Sequence, residues 1–321
     1  MINFQLIQPY KFIKHKSQPI NNFSIILRPS LSKDTVSFGH NPDLLDLPKQ
    51  EIFKTIRKNV KAENFIGAGY EAKCYKIPNT AYCVRIPNDN PKNYDKFYSK
   101  DVSPAEKINH VVANLGGGAR VQKYIEGYPV EFIEGDGIDK TREFVADIVD
   151  KMPLASFRDM LHQISNAYKY DMMFDSVGFN VIVNPLNKTM TVIDFYKKDD
   201  DIFESLNPLS SMYASLINSK TTFEQKKRIA AKVLLAALDE FEPQHCPCMR
   251  YQELDFNRFI TKNLQSGLIS NEKFGKLLAN KLSQLQDIKS ACLRNSNDEN
   301  EKQLVGVLKL LRALIHQIYL K

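Results

Sequence analysis

One segment, residues 171–196, constrains the fold of this chain more than any other. Its sequence is DMMFDSVGFNVIVNPLNKTMTVIDFY. Two apolar runs separated by an Asn-Pro-Leu-Asn turn predict a β-hairpin. Asp175 and Asn180 precede this hairpin, and Asp194 follows its return strand. A carboxylate, an amide and a second carboxylate at this spacing are typical of a phosphoryl-transfer site, where they serve as a base and as two Mg²⁺ ligands.

Length and composition favour a folded protein with two packed lobes. The chain has 321 residues, of which 43% are apolar, and this is enough for a sizeable core. No apolar run approaches the roughly 18 to 20 residues of a membrane span, and the first residues lack the pattern of a cleaved signal peptide. The five cysteines are scattered and odd in number, unlike a disulfide framework. We therefore predict a cytoplasmic protein with no membrane span.

The amino-terminal stretch has a different character from the rest. Residues 1–49 mix Asn, Ser, Pro and Lys without a sustained hydrophobic period, which predicts an extended or disordered leader. Residues 1–65 hold ten Lys or Arg and five Asp or Glu, so they supply +5 of the net charge of +7. These basic residues are not interleaved with stacking aromatics, and no specific nucleic-acid partner is expected. A leader of this composition can also act as an export signal, so a secreted effector stays open as an alternative location.

Residues 50–126 predict a small antiparallel sheet with one helix beside it. A short helix is expected over 51–60. The apolar and alternating residues over 64–86, around a Pro-Asn-Thr turn, predict a three-stranded meander whose first turn contains Gly67 and Gly69. Two glycines let backbone N–H groups approach phosphate oxygens closely, although a tight hairpin would use the same residues.

The sequence Ser103-Pro104-Ala105-Glu106 predicts the start of a further helix, which is the one expected to lie beside the sheet. It combines an N-cap serine, a proline at the first helical position and a glutamate at the third. Apolar residues at helical spacing extend the predicted helix as far as Gly116: Ile108, Val111, Val112 and Leu115. A strand is expected to follow, leading into the connector Glu126-Gly-Tyr-Pro.

Residues 127–321 predict a mainly helical region built around the hairpin. One helix presents Phe157, Met160, Leu161, Ile164 and Tyr168 on a single face. Beyond Asp201 the periodic segments predict four further helices, over 222–241, 255–263, 271–293 and 299–320.

These motifs, in this order, resemble those of the protein-kinase-like fold, which includes protein kinases, bacterial effector kinases and the aminoglycoside and choline kinases. The resemblance covers about residues 63–200. The segment around Gly67 and Gly69 resembles the glycine-rich loop, with Ala72 in place of its last glycine and Cys74 where a valine usually covers adenine. Arg85 falls where the strand lysine is expected. The stretch Tyr124-Ile-Glu126-Gly resembles the hinge between lobes.

The segment with the hairpin carries the other two matching motifs. Met173-Phe174-Asp175 with Asn180 resembles the catalytic loop, and Ile193-Asp194-Phe195-Tyr196 resembles the metal-binding motif. The resemblance implies an α+β, bilobal fold with a small antiparallel-sheet lobe over 50–126 and a larger helical lobe over 127–321.

The resemblance also implies a chemistry. Asp175 would orient the attacking hydroxyl or accept its proton, while Asn180 and Asp194 hold Mg²⁺ against the phosphates of ATP. The residues expected around the nucleotide are Gly67, Gly69, Ala72, Cys74, Arg85, Glu106 and Glu126. The γ-phosphoryl group would pass to a hydroxyl on a small molecule or a protein.

Several residues depart from the family pattern and keep alternatives open. Arg85 replaces a lysine, and its longer, planar guanidinium does not reproduce an ammonium; Lys73 or Lys76 could substitute, with Lys76 on the same face as Cys74. Glu106 could pair with Arg85, or it could serve only the helix cap. Tyr196 replaces a glycine. The alternatives are a catalytically weak pseudokinase that binds nucleotide and engages a protein, or a helical interaction protein in which the glycine turn is structural.

Overall fold

A five-stranded antiparallel sheet organises the first part of the protein. The computed structural model describes residues 43–68, 71–89, 97–131, 138–174, 178–197, 207–242, 254–294 and 298–320. The strands are β1 (Phe65–Ala68), β2 (Ala72–Lys76), β3 (Tyr82–Pro87), β4 (Val111–Gly116) and β5 (Ala119–Lys123). They lie in the order β1-β2-β3-β5-β4 with every neighbour antiparallel. The predicted meander over 64–86 is therefore confirmed as β1 to β3.

One face of this sheet is covered by a helix that the sequence predicts correctly. The helix α1 (Lys49–Asn59) buries Ile52, Phe53 and Ile56 against Val84 and Val121 of β3 and β5. We call this cluster the small core. An amphipathic helix gains most of its stability from such packing.

The small core also includes a residue that we assigned to the leader. Leu44 is only 3% exposed and belongs to this cluster. Asp43 caps the short turn Leu44–Asp46 by accepting from the Leu45 amide at 2.9 Å, and it accepts from the Tyr82 hydroxyl at 2.8 Å. The boundary predicted at residue 49 is thus wrong for residues 43–49, because apolar burial outweighs their loop-like composition. Residues 1–42 lie outside the described residues.

The helix predicted from Ser103 to Gly116 is wrong over most of its length. The helix α2 spans only Pro104–Ile108, with the expected capping box between Ser103 and Glu106. The chain turns at His110, whose φ is 59°, and continues as β4, in which buried and half-buried residues alternate. That alternation has the period of a strand, and β-branched valines favour it. The helical stripe and the strand pattern share the same apolar residues.

The second part of the chain begins with two helices and two small sheets. The helices are α3 (Ile138–Lys151) and α4 (Leu154–Tyr168). One sheet has the order β6-β8-β9, with β6 (Tyr128–Pro129), β8 (Val181–Asn184) and β9 (Thr189–Val192). The other pairs β7 (Met172–Phe174) with β10 (Phe195–Lys197). The predicted hairpin is confirmed as β8 and β9, while α3, β6, β7 and β10 were not predicted.

Five helices follow and complete a second, larger core. They are α5 (Pro208–Ser215), α6 (Phe223–Asp239), α7 (Phe256–Gln265), α8 (Glu272–Arg294) and α9 (Asp298–Tyr319). The last four confirm the four helices predicted beyond Asp201, and α5 was missed. We call their shared cluster the large core; it includes Phe157, Leu161, Ile164, Val181, Val192, Leu234, Ile260, Leu282, Leu311 and Ile315. The observed fold class is mixed α+β with antiparallel sheets.

Among the described residues, no helix is both long enough and apolar enough to cross a membrane.

Candidate functional site

The two predicted metal ligands lie at the open end of the β8–β9 hairpin. Asn180 immediately precedes β8, and Asp194 lies two residues beyond β9. Val181 and Val192 are register partners, and the Ile193 amide donates to the Asn180 carbonyl at 2.9 Å. The antiparallel ladder therefore continues to the positions that carry the two side chains. Asp194 is exposed and Asn180 is half-buried.

Asp175 lies outside the described residues, but both ends of the segment that carries it are placed. Phe174 is 1% exposed and is the register partner of Phe195, the residue after Asp194. On the other side, the Gly178 carbonyl accepts from the Val130 amide at 3.0 Å. A Cβ on Gly178 would lie 2.8 Å from the Glu131 Cβ, so packing requires glycine there. The chain is thus fixed on both sides of residues 175–177, and its Phe174 side pairs with the strand that follows Asp194.

The face of the five-stranded sheet opposite the small core carries two of the predicted nucleotide residues, Cys74 and Arg85. Register partners form one row across β2, β3, β5 and β4: Cys74, Arg85, Arg120 and Asn114. Because directly opposed residues in antiparallel strands share a face, Arg85 and Arg120 are neighbours on it. Lys76 pairs with Cys83 in the same register, so its predicted position on the face of Cys74 is confirmed.

The Cys74 thiol links this sheet face to the hairpin end. Burial raises the pKa of Cys74, the Arg85 guanidinium opposes that rise, and the Asp194 carboxylate adds to it. Charges act on a thiol in this way only at short range in a partly desolvated setting. Arg85 on β3 and Asp194 after β9 are therefore both near enough to Cys74 to act on its thiol, although Asp194 is more than 100 positions away from the other two in the sequence.

Arg85 forms its ion pair with a residue that the sequence analysis did not consider. Its Nη2 lies 3.1 Å from the Glu71 carboxylate, with the Arg85 side chain 25% exposed and that of Glu71 76% exposed. Glu71 follows the glycine turn directly. An exposed carboxylate holds such a partner weakly, so this pair can open at little cost.

The pairing of Glu106 with Arg85 that we considered is not the arrangement observed. The Glu106 carboxylate accepts from the Ser103 amide at 3.0 Å and from its hydroxyl at 2.9 Å. Although partial burial raises the pKa of Glu106, the hydrogen bonds from Ser103 and Asn114 and the charge of Arg120 hold it below the usual value. Glu106 thus serves the cap of α2 and lies near Arg120, the neighbour of Arg85 on the sheet.

The glycine turn is described in part. Gly67 lies in β1, and a Cβ built on it would meet no atom within 4 Å, while Ala72 begins β2 and is buried. Gly69 lies outside the described residues. Neither packing nor a positive φ requires glycine at position 67. Among the described residues, the space beside β1 that a side chain would occupy there is open.

The connector predicted as a hinge joins the two parts of the chain. Glu126 is exposed, and its carbonyl accepts from the Asn184 side chain at 3.3 Å. Gly127 has φ 143°, and a Cβ there would lie 2.4 Å from the Val183 carbonyl oxygen. Tyr124 lies three residues before Gly127, and the Lys76 ammonium is 4.4 Å from the centroid of its ring. Lys76 thus has a cation–π partner at the edge of the candidate site.

Asn109 was not singled out by sequence analysis, yet its side chain and that of the neighbouring His110 contact the segment that carries Asp194. Asn109 bonds the Phe195 backbone, and His110 bonds the Val192 carbonyl. The only sequence signal is a polar pair between apolar residues, and it does not identify partners more than 80 positions away.

Comparisons with known proteins add no family to this geometry. No family model, no curated protein and no solved structure matches the chain. Within the described ranges, no three His, Cys, Asp or Glu side chains are grouped so that they could hold a metal ion. The candidate metal position therefore consists of one amide and one carboxylate, Asn180 and Asp194, beside the flanks of Asp175.

Proposed function

We propose that the protein binds ATP with Mg²⁺ between the sheet face of Arg85 and the end of the β8–β9 hairpin, and transfers the γ-phosphoryl group to a hydroxyl acceptor. The observation that carries the proposal is that Arg85 lies opposite Cys74 on one sheet face, with the Asp194 carboxylate near enough to act electrostatically on the same thiol. A cation that can bind phosphate and a carboxylate that can bind Mg²⁺ are the two charges that phosphoryl transfer needs close together. The order of the motifs along the chain supports the same reading.

The residues at the hairpin end suit Mg²⁺. Asn180 and Asp194 offer an amide oxygen and a carboxylate oxygen, and hard oxygen ligands are those that this ion prefers. When bound, the ion would neutralise charge on the nucleotide phosphates. Asp194 is exposed, so its carboxylate is accessible to a metal ion that keeps part of its water shell.

The sheet supplies the groups that would hold the nucleotide itself. Arg85 would pair with phosphate oxygens after exchanging its exposed partner Glu71, because a guanidinium matches phosphate geometry. The open space beside Gly67 leaves room for close approach of a ligand to the β1 backbone. Ala72 and Cys74 would lie against the base, and the Glu126 backbone would hold its edge. Glu106 would act indirectly, by capping α2.

The acceptor would be oriented by Asp175, which the resemblance assigns as the catalytic carboxylate. Most of the rate would come from positioning and from charge neutralisation, since phosphoryl transfer asks little covalent chemistry of the protein. The acceptor is a hydroxyl on a small molecule or on a protein. A cytoplasmic location and a secreted effector both fit this chemistry.

A nucleotide-binding comparison of matched aspartate variants tests the proposal. ATP at roughly 100 times its Kd stabilises a protein by about 2.7 kcal/mol, which for a chain of this size raises the Tm by about 4 °C. We expect this shift in the wild type with Mg²⁺, and its loss in Asp194→Asn, which removes the anionic ligand. Asp287→Asn is the control, because Asp287 is also exposed but lies on α8.

Two results would overturn the proposal. One is the absence of stabilisation by any nucleotide in the wild type; the other is an Mg²⁺-dependent shift in Asp194→Asn as large as that in Asp287→Asn. The shift is to be measured with ATP, GTP and their diphosphates, each with Mg²⁺ and with a chelator.

A second candidate function is a nucleotide-binding interaction module with little catalysis. The observation that favours it is the ion pair of Arg85 with Glu71, together with arginine in place of lysine and Tyr196 in place of glycine. Mg²⁺-dependent stabilisation without ATP turnover across hydroxyl acceptors is the result that would select this module over the enzyme.

A further inference from the structure

Three side-chain hydrogen bonds bracket Asp194 from the corner between α2 and β4. The Asn109 side chain donates from Nδ2 to the Phe195 carbonyl at 2.7 Å, and its Oδ1 accepts from the Phe195 amide at 2.7 Å. The His110 Nε2 lies 2.8 Å from the Val192 carbonyl oxygen, to which it donates. Asp194 therefore lies between two backbone positions that this corner holds. We call residues 192–195 the Asp194 segment.

The corner itself is firmly built. Asn109 ends α2, with its amide donating to the Glu106 carbonyl at 3.0 Å, and its own carbonyl accepts from Gln122 Nε2 of β5 at 2.8 Å. Ala105 and Ile108 of α2 pack against the large core. The corner therefore has fixed contacts to the five-stranded sheet and to the large core, which makes it a rigid support.

The Asp194 segment is also held on its other side, but only up to Val192. Gln163 of α4 donates to the Met190 carbonyl at 2.9 Å and accepts from the Val192 amide at 3.0 Å. These two bonds match those of Asn109 in number and kind. They act on β9, whose Met190 and Val192 are also paired with β8, and no described Gln163 bond reaches beyond Val192.

We propose that Asn109, assisted by His110, is the positioning residue for Asp194, and that the two side chains together fix the backbone on both sides of this carboxylate so that its oxygens face the nucleotide phosphates. The inference rests on the proposed function, in which Asp194 is an Mg²⁺ ligand. A metal ligand on a loop between two strands is effective only when neighbouring groups restrict the orientations that its side chain can adopt. Asn109 supplies that limit through a double hydrogen bond and contributes no atom to the metal.

The test compares Asn109→Ala with Gln163→Ala by calorimetric binding of a non-hydrolysable ATP analogue, with Mg²⁺ and with a chelator. In Asn109→Ala, loss of the two hydrogen bonds to the Phe195 backbone is expected to reduce the gain in affinity from Mg²⁺ about tenfold, which corresponds to about 1.4 kcal/mol. Affinity without Mg²⁺ is expected to stay within about twofold of the wild type, on the same scale. Gln163→Ala loses the same number of backbone hydrogen bonds but is expected to keep the wild-type gain.

A second readout needs no ligand and guards against a folding artefact. In the free protein, hydrogen exchange of the Phe195 amide followed by NMR should be faster in Asn109→Ala than in the wild type or in Gln163→Ala. His110→Asn is the second variant, because asparagine tolerates the positive φ of this position. It should lower the Mg²⁺ gain by a smaller factor than Asn109→Ala.

The outcomes separate this inference from the proposed function. If the wild type shows no Mg²⁺-dependent binding, the proposed function fails and the positioning role fails with it. If the wild type shows the gain and both Asn109→Ala and His110→Asn keep it in full, only the positioning role is overturned. An equal loss in Gln163→Ala, or unchanged exchange at Phe195 in Asn109→Ala, would also overturn it.

Discussion

At the scale of single residues, His110 combines three features that tie it to one protonation state. It has a positive φ, it donates to the Val192 carbonyl, and it is largely withdrawn from water. Burial lowers the pKa of His110, the bond to Val192 opposes that change, and the charge of Lys123 lowers the pKa further. The net direction is downward, so the folded protein favours the neutral imidazole with its proton on Nε2.

This shift predicts a stability that falls in mild acid. A histidine has a pKa of about 6.5 in an unfolded chain, and that of folded His110 is lower. Its contribution to stability is therefore present above about pH 6.5 and is lost as the pH falls through the folded value, because the unfolded state then binds more protons. Urea unfolding at about pH 7.5 and about pH 5.5 should show a smaller loss in His110→Asn than in the wild type. Equal losses would contradict the assignment.

The sequence predicts where some residues of the candidate site lie, but it does not predict the contacts of others. Asn180 and Asp194 could be predicted because a hairpin between them fixes their separation by local geometry alone. Arg85 could be placed because the strand alternation puts it on a known face. The partners of Asn109 and His110 are 86 and 82 positions away, and no local rule reaches that far.

At the scale of elements, α2 and β4 show why the helix prediction failed. Ile108, Val111 and Leu115 fit a helical stripe, but Val111, Ala113 and Leu115 equally fit one face of a strand. Short apolar runs do not separate the two periods. Gly117 and Gly118, with φ of 56° and 77°, make a tight turn that lets β4 pair with β5. The sheet hydrogen bonds gained by that pairing decide the outcome.

Gly127, in the connection between β5 and β6, should not tolerate replacement. In Gly127→Ala the new Cβ would lie 2.4 Å from the Val183 carbonyl oxygen, and the φ of 143° is disfavoured for alanine. Since backbone cannot yield as a side chain does, we expect a loss of about 3 kcal/mol or more in the free energy of unfolding. Urea unfolding measures it.

Gly306 provides the matched control for that prediction. It lies within α9, is exposed, and would meet no atom within 4 Å after gaining a Cβ. Gly306→Ala should stabilise the protein by about 0.5 to 1 kcal/mol, because alanine is the better helix residue. A loss of stability in Gly127→Ala no larger than about 1 kcal/mol, the ordinary cost of a point substitution, would contradict the geometry at Gly127.

At the scale of the whole molecule, α9 closes the large core against α6. Asp239, near the end of α6, is paired with Arg158 of α4 and, at 2.7 Å, with Arg312 of α9. Arg312 also pairs with Glu242. Asp239 is only 9% exposed, so leaving it without these partners would be costly. The network fixes the angle at which α9 docks, and apolar burial beneath it supplies the stability.

Neighbouring leucines on α9 test that docking. Leu311 is fully buried and Leu310 is 44% exposed. We expect Leu311→Ala to lower the free energy of unfolding by about 2 to 5 kcal/mol, and Leu310→Ala to change it by about 0.5 kcal/mol or less. Thermal and urea unfolding of both variants provide the measurement. Similar losses in the two would show that α9 does not pack on this face in solution.

Among the large-scale features, those that depend on local periodicity could be predicted from the sequence, and those that depend on contacts between distant segments could not. Five helices of the second part, α4 and α6 to α9, could be predicted because each carries an amphipathic period, which is a local property. The way in which α2 meets the Asp194 segment depends on side chains from both parts of the chain. Such contacts join residues that are far apart in the sequence, so no periodicity in the sequence anticipates them.

The contact between Asn109 and Phe195 also has a consequence in time. The two residues are 86 positions apart, and a ribosome adding roughly 5 to 20 residues per second makes the second about 4 to 17 seconds after the first. During that interval the residues of the α2 corner have been synthesised while their backbone partner does not yet exist. All five strands of the sheet are therefore synthesised before Asp194, so the proposed site can assemble only after the segment that forms the sheet has been made.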